Sequence, residues 1–181
     1  MGFWMRLLYR VRVEGAERVP MEGAFILTAN HFHSLDPVML AIGIKRQLRI
    51  MAKKELFANR LFRFTLNRLG AFPVDRKVAD MRSYKQAIEL LESGHAILMF
   101  SQGSRMKTFE SAKNGVALFS LKTNTVIVPA GISGNYKFRS LITVRFGEPI
   151  SLEPYQGKKI KTDLVNELTA EIVANIKGLT E

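Results

Sequence analysis

Six short apolar runs punctuate the chain: "GAFILTAN" (23–30), "QLRIMA" (47–52), "AFPV" (71–74), "HAILMF" (95–100), "TVIVPAGIS" (125–133) and "SLITVRFG" (140–147). Each is about the length of a strand and most are bounded by glycine, serine or asparagine, which predicts strands. Between them lie segments with helical periodicity. Asp36-Pro37 reads as an N-cap followed by proline at N1, opening a helix through Ile44. "KELFANRLFRFTLNRLG" has helical spacing and a glycine stop at Gly70. "VADMRSYKQAIELLESG" places Met81, Tyr84, Ile88 and Leu91 on one predicted face. "KTDLVNELTAEIVANIKGL" does the same for Leu164, Leu168, Ile172 and Ile176. Strands alternating with helices predict the α/β class, a single domain with a mixed, mostly parallel sheet covered by helices.

Neither an internal repeat nor a low-complexity segment interrupts this pattern. The opening "MGFWMRLLYRVRV" differs from the rest. Phe3, Trp4, Leu7, Leu8 and Val11 recur at spacings that gather them on one helical face, with Arg6, Arg10 and Arg12 at its rim. That is the pattern of an N-terminal amphipathic helix lying in a membrane interface, or of one packed on its own domain. Residues 1–20 are therefore set apart as a segment for membrane contact, and 21–181 as the domain proper.

Composition narrows the classes. At 181 residues the chain is long enough for one real core. Its longest apolar run is of the kind "VMLAIGI" (38–44), far short of the ~20 residues a spanning helix needs. The start lacks the long apolar centre and cleavage site of a secretory signal, so placement on the cytoplasmic side is expected. Without cysteine there are no disulfides, thiolate nucleophiles or thiolate metal sites. The balance of 27 Lys and Arg against 16 Asp and Glu, net +11, points to nucleic acid, an anionic membrane or an acidic carrier protein. Nucleic acid is not expected, because no zinc-finger spacing or RNP-like aromatic motif accompanies the charge.

In a sheet of this class, ligands gather beyond the carboxyl ends of the strands. Three polar loops occupy such places: "NHFHSLDP" (30–37), "DRK" (75–77) and "SQGSRMK" (101–107). A neutral imidazole can take a proton from a hydroxyl when a carboxylate holds its other ring nitrogen. His31 and Asp36, separated by four residues, suit that pairing, the nucleophile then being a hydroxyl of the substrate. Spacing alone somewhat favours Asp36 as a helix cap and His31 as a polar loop residue. His33 could join them around zinc, but open metal sites draw ligands from several elements, and no metal is expected. Arg76 and Arg105 suit a phosphate, since a guanidinium fork matches two oxygens. Either one alone better fits a surface arginine paired with a nearby carboxylate such as Asp75, and it is the two loops together beside the histidine loop that point to phosphate. Lys53 and Lys54 could add positive charge or be a solvated face.

Four blocks in order carry a resemblance: "NHFHSLDP", "GAFPVDR" (70–76), "FSQGSR" (100–105) and "VPAGI" (128–132). Together with "RVEGAERVPMEGAFILTANH" and "AKKELF" they resemble the PlsC-type glycerophospholipid acyltransferases, also called lysophosphatidate acyltransferases, over most of the chain from Val11 to Ile150. The resemblance implies a glycerolipid acyltransferase-like fold. It implies transfer of a fatty acyl group from a thioester, on coenzyme A or acyl carrier protein, to the sn-2 hydroxyl of 1-acyl-glycerol-3-phosphate. His31 then corresponds to the general base and Asp36 to its orienter, the HX4D motif. Arg76 corresponds to a phosphate ligand. Gln102, Gly103, Ser104 and Arg105 fall in the acceptor-binding loop, and Lys53 matches a lysine that helps hold phosphate. Pro129 marks the fourth block and is read as structural. No cofactor is implied, the acyl thioester being a co-substrate. The implied partners are the lysophospholipid, the thioester and an anionic membrane surface at its cytoplasmic face, with acyl carrier protein a further candidate.

Two positions depart from the family pattern. The third block usually reads F-P-E-G-T-R, where this chain has Ser101 and Gln102. Gln102 can still hydrogen-bond a glycerol hydroxyl but carries no charge, which leaves open another lysophospholipid acceptor. It also leaves open a binder of anionic lipid or nucleic acid that keeps the fold without catalysis. His33 stands where the family has serine.

Overall fold

The structure is a computed structural model that describes residues 2–68, 70–74, 81–101 and 114–181. Among these residues the chain forms a seven-stranded sheet. Its strands are β1 (Arg10–Glu14), β2 (Phe25–Ala29), β3 (Leu48–Lys53), β4 (Ala71–Val74), β5 (Ala96–Phe100), β6 (Val126–Gly134) and β7 (Leu141–Phe146), in the order β1-β7-β6-β2-β5-β3-β4. β6, β2, β5, β3 and β4 run parallel, while β7 is antiparallel to β6 and carries β1 parallel to itself. The carboxyl ends of five strands thus meet at one edge of the sheet. β7 and β1 start from that same edge.

The helices are α1 (Gly2–Leu8), α2 (Asp36–Gly43), α3 (Arg60–Arg68), α4 (Met81–Glu92), α5 (Gly115–Thr123) and α6 (Thr162–Gly178). α2 covers one face, packing Val38, Met39 and Leu40 with Phe25, Leu27 and Ala29 of β2. α4, α5 and α6 cover the other, where Ile26 meets Leu91, Val116, Phe119, Leu168 and Ile172. β2 is therefore buried on both sides, which is why its sequence is an unbroken apolar run and not an alternation. The expected fold class is the one observed. At the amino ends of the parallel strands, the Arg46 guanidinium donates to the carbonyls of Pro20, Gly23 and Gly94 and lies over the Phe25 ring.

Four elements differ from the sequence expectation. α1 stops at Leu8, and "RVRVE" is β1, hydrogen-bonded along β7, with its Arg145 ion-paired to Glu14 at 2.8 Å. Val11 therefore packs toward the core from a strand and does not share a helical face with Leu7 and Leu8. The sheet reaches into the segment set apart as 1–20. The side chains of Phe3 and Trp4 lie outside the described residues. In α4 the buried stripe is Ser83, Ala87 and Leu91, while Met81 is 60% exposed. α5 has no counterpart among the predicted helices. The segment predicted as one helix from Lys54 instead makes a 3₁₀ turn, Lys54–Phe57, before α3, and Gly70, at a φ of 71°, turns the chain into β4.

Candidate active site

The histidine loop leaves β2 at Ala29, beside Phe100 of β5 and Ala130 of β6 in the registers of the parallel ladder. Asn30 fixes its departure. Its side-chain amide donates to the Ile132 carbonyl at 2.8 Å, and its oxygen accepts from Ile132 N–H at 2.8 Å, so the side chain stands in for one more ladder residue. His31 then lies flat on Phe100, with ring centroids 3.9 Å apart and planes 16° from parallel. Its Nδ1 is 2.9 Å from Asp36 Oδ2. Since a carboxylate has only acceptors, Nδ1 carries the proton and the lone pair sits on Nε2.

Asp36 is 0% exposed, and its burial is compensated by hydrogen bonds. Oδ2 also accepts from the backbone N–H of Phe32 at 2.8 Å and of His33 at 2.7 Å, while Oδ1 accepts from the Tyr136 hydroxyl at 2.5 Å. This corrects the capping expectation. Asp36 is the first residue of α2, Leu35 holds the cap position without a side-chain bond, and the carboxylate reaches back into the preceding loop. Its four acceptor contacts run to His31, Phe32, His33 and Tyr136.

Tyr136 was not singled out by the sequence. It sits in the β6–β7 loop, 100 residues from Asp36, so no local pattern links the two. Burial, the hydrogen bond to Asp36 and the nearby carboxylate push its phenol well above the usual tyrosine value. Its ring stacks on His33 at 3.9 Å and meets Tyr9 edge-on at 5.6 Å. His33 in turn accepts from Leu35 N–H at 3.3 Å through Nδ1, so its contacts are those of loop structure.

Lys53 ends β3 on the same edge, is half exposed and pairs with Glu55 at 3.3 Å. The register places it beside Val74, the last residue of β4. Arg76 follows two residues later, and Gln102, Gly103, Ser104 and Arg105 follow Phe100 after the buried Ser101; all five lie outside the described residues. The structure thus brings His31 and Asp36 into contact, with Lys53 on the same strand edge two strands away. The arrangement can hold one imidazole tautomer, aim its Nε2 at a hydroxyl and stabilise the imidazolium that forms.

A family model described as Acyltransferase matches residues 10–133. The 1-acyl-sn-glycerol-3-phosphate acyltransferase of Streptococcus pneumoniae is 32% identical over 164 residues, or 87% of this chain and 61% of that protein. The protein of the same description from Bacillus subtilis is 31% identical over 146 residues, covering 77% of this chain and 73% of its own length. The crystal structure of the 1-acyl-sn-glycerophosphate acyltransferase PlsC from Thermotoga maritima superposes with a TM-score of 0.72 at 23% identity, over 98% of this chain and 73% of that one. The fold is therefore shared, and this chain spans about three fifths of the Streptococcus relative's length.

Proposed function

Because the chain belongs to the acyltransferase family, we propose that it transfers a fatty acyl group from an acyl thioester, on coenzyme A or acyl carrier protein, to the sn-2 hydroxyl of 1-acyl-glycerol-3-phosphate, making phosphatidic acid for phospholipid synthesis. The observation that carries this is the 2.9 Å contact between His31 Nδ1 and a fully buried Asp36. His31 Nε2 takes the hydroxyl proton as the oxygen attacks the thioester carbonyl. The tetrahedral adduct then collapses, the C–S bond breaks, and the thiolate leaves with the proton returned from the imidazolium. One ester forms and one thioester is consumed. The step needs no cofactor, metal or acyl-enzyme. Asp36 holds the tautomer and balances the transient positive charge.

Arg76, Arg105 and Lys53 would bind the acceptor phosphate, with Gln102, Gly103 and Ser104 lining the glycerol. These roles rest on the resemblance of the blocks. The enzyme would work as a peripheral protein on the cytoplasmic face of the cell membrane. No helix of the described residues is long and apolar enough to cross a bilayer, and the chain carries a net charge of +11.

The test is turnover of a labelled acyl thioester with 1-acyl-glycerol-3-phosphate. His31→Ala should lower kcat by ~10²–10⁴-fold with thermal stability retained. An alanine variant as fast as the parent would end the general-base reading. Running the parent over several lysophospholipid acceptors settles what Gln102 selects, and a protein that retains lipid but forms no product is a binder.

A further inference from the structure

The β6–β7 loop has an exposed aromatic at its tip. Phe138 is 74% exposed, although the turn that presents it is well held. Ser140 N–H donates to the Lys137 carbonyl at 3.0 Å, Lys137 N–H to the Asn135 side chain at 3.2 Å, and Arg139 adopts a left-handed φ of 58°. Arg139 N–H also donates to the Leu8 carbonyl at 2.7 Å, which ties the loop to the end of α1. Leu7, 59% exposed, is one residue from that bond, and Leu141, also exposed, pairs with Arg10 in the β1–β7 register. With Leu8, also exposed, four apolar side chains thus stand in water around one junction. Arg6, Arg10, Lys137 and Arg139 are exposed around them, and neither 2–10 nor 134–141 contains an acidic residue.

The sheet polarity gives this junction its position. Gly134 ends β6 on the edge where β2, β5, β3 and β4 also end, and β1 and β7 start there. The junction therefore shares an edge with the dyad. The link is direct, since Tyr136, two residues from Phe138, donates to Asp36.

We propose that the β6–β7 loop, joined to the end of α1, is the surface by which the protein docks on an anionic lipid bilayer, Phe138 entering the interface while Arg6, Arg10, Lys137 and Arg139 meet lipid phosphates. Charge favours this occupant: four exposed cations with no acidic residue in either segment, set with exposed apolar side chains, match phosphates above acyl chains. An acidic protein would be met by the cations but offers less to the exposed apolar side chains among them. Docking here sets the edge that bears His31 against the surface. It rests on and deepens the peripheral attachment proposed above, and places the main contact on the loop where the sequence alone points to residues 1–20.

The test is sedimentation with vesicles of phosphatidylcholine, with and without added phosphatidylglycerol, in the absence of any acyl donor. Binding is then read whether or not the protein turns over. Phe138→Ser should weaken partitioning onto the anionic vesicles on the order of tenfold, and Phe138→Trp should restore it. Lys137→Glu with Arg139→Glu should remove the preference for phosphatidylglycerol. With an acyl donor present, Phe138→Ser should cut turnover of vesicle-embedded acceptor far more than turnover of a short-chain acceptor dissolved in water. Parental vesicle binding by Phe138→Ser overturns the proposal. So does a loss confined to acyl-carrier-protein donors with vesicle binding intact, which would make the surface a protein-docking site.

Discussion

At the scale of single residues, the site turns on how a carboxylate without water contact is satisfied. Asp36 takes its hydrogen bonds from three sources: the His31 imidazole, two backbone N–H groups of its own loop, and a phenol from a distant loop. The first two sources lie within five residues, so His31 and Asp36 were legible as a pair. The third was not, because a contact across 100 residues leaves no periodicity to read. The same holds for Asn30, whose bidentate grip on Ile132 gives a structural reason for asparagine before the histidine. Tyr136 is a positioning residue by this geometry. Tyr136→Phe keeps the stack on His33 and deletes only the hydroxyl, so kcat should fall on the order of tenfold with the acceptor KM nearly unchanged. Alkaline unfolding gives a second readout. The folded phenol is raised above its ordinary 10.0, chiefly by burial and then by Asp36. Below that pH both states hold the proton and stability is complete. Above it the unfolded chain releases the proton while the folded one keeps it, so stability falls as pH rises. The added slope is at most ~1.4 kcal/mol per pH unit, less where solvent reaches the ring. Denaturant unfolding between about pH 9 and about pH 11 should show it in the parent and not in Tyr136→Phe.

At the scale of elements, what periodicity could read depended on how each element is buried. β2, β5 and β6 are covered on both faces and appear as unbroken apolar runs, and α6 keeps Leu168, Ile172 and Ile176 in phase. α5 escaped because Val116, Ala117, Phe119, Ser120 and Leu121 are all buried, which leaves no polar face to mark a helical period. β1 escaped for a different reason. Its two-residue alternation, "RVRVE", begins one residue after a helical "FWMRLL", and Val11 falls in phase with the helical positions Leu7 and Leu8. The "VPAGI" block also acquires a reason. Pro129 lies in β6, and its carbonyl accepts from Gly147 N–H on the β7 side, so the N–H it lacks costs nothing in the ladder with β2. At Gly131, a methyl group would run into the backbone carbonyl of Leu179, where the end of α6 crosses the strand. Gly131→Ala should therefore destabilise the fold by ~1–3 kcal/mol, read as a lower denaturation midpoint, while kcat of the remaining folded protein stays within about twofold.

At the scale of the whole molecule, net charge governs encounter with a surface and the sheet governs orientation. With +11 at neutral pH, binding to anionic vesicles should weaken steeply as sodium chloride rises from about 0.1 M to about 0.5 M, since screening shortens to a few ångströms. Zwitterionic vesicles should show little of this dependence, and an equal salt response on both would mean that charge does not bring the protein to lipid. The sheet adds an asymmetry. Among the described residues, His31, Asp36 and Lys53 belong to the carboxyl edge, whereas at the amino edge Arg46 holds three loop carbonyls together. The molecule therefore has a working end and a handle. Glu92, exposed at the end of α4 just before the turn that Arg46 clamps, lies at the handle. The chain contains no cysteine, so Glu92→Cys would create a single attachment point for a dye, a tether or a solid support. The protein immobilised there would present the edge that bears His31 outward, as a brush presents its bristles.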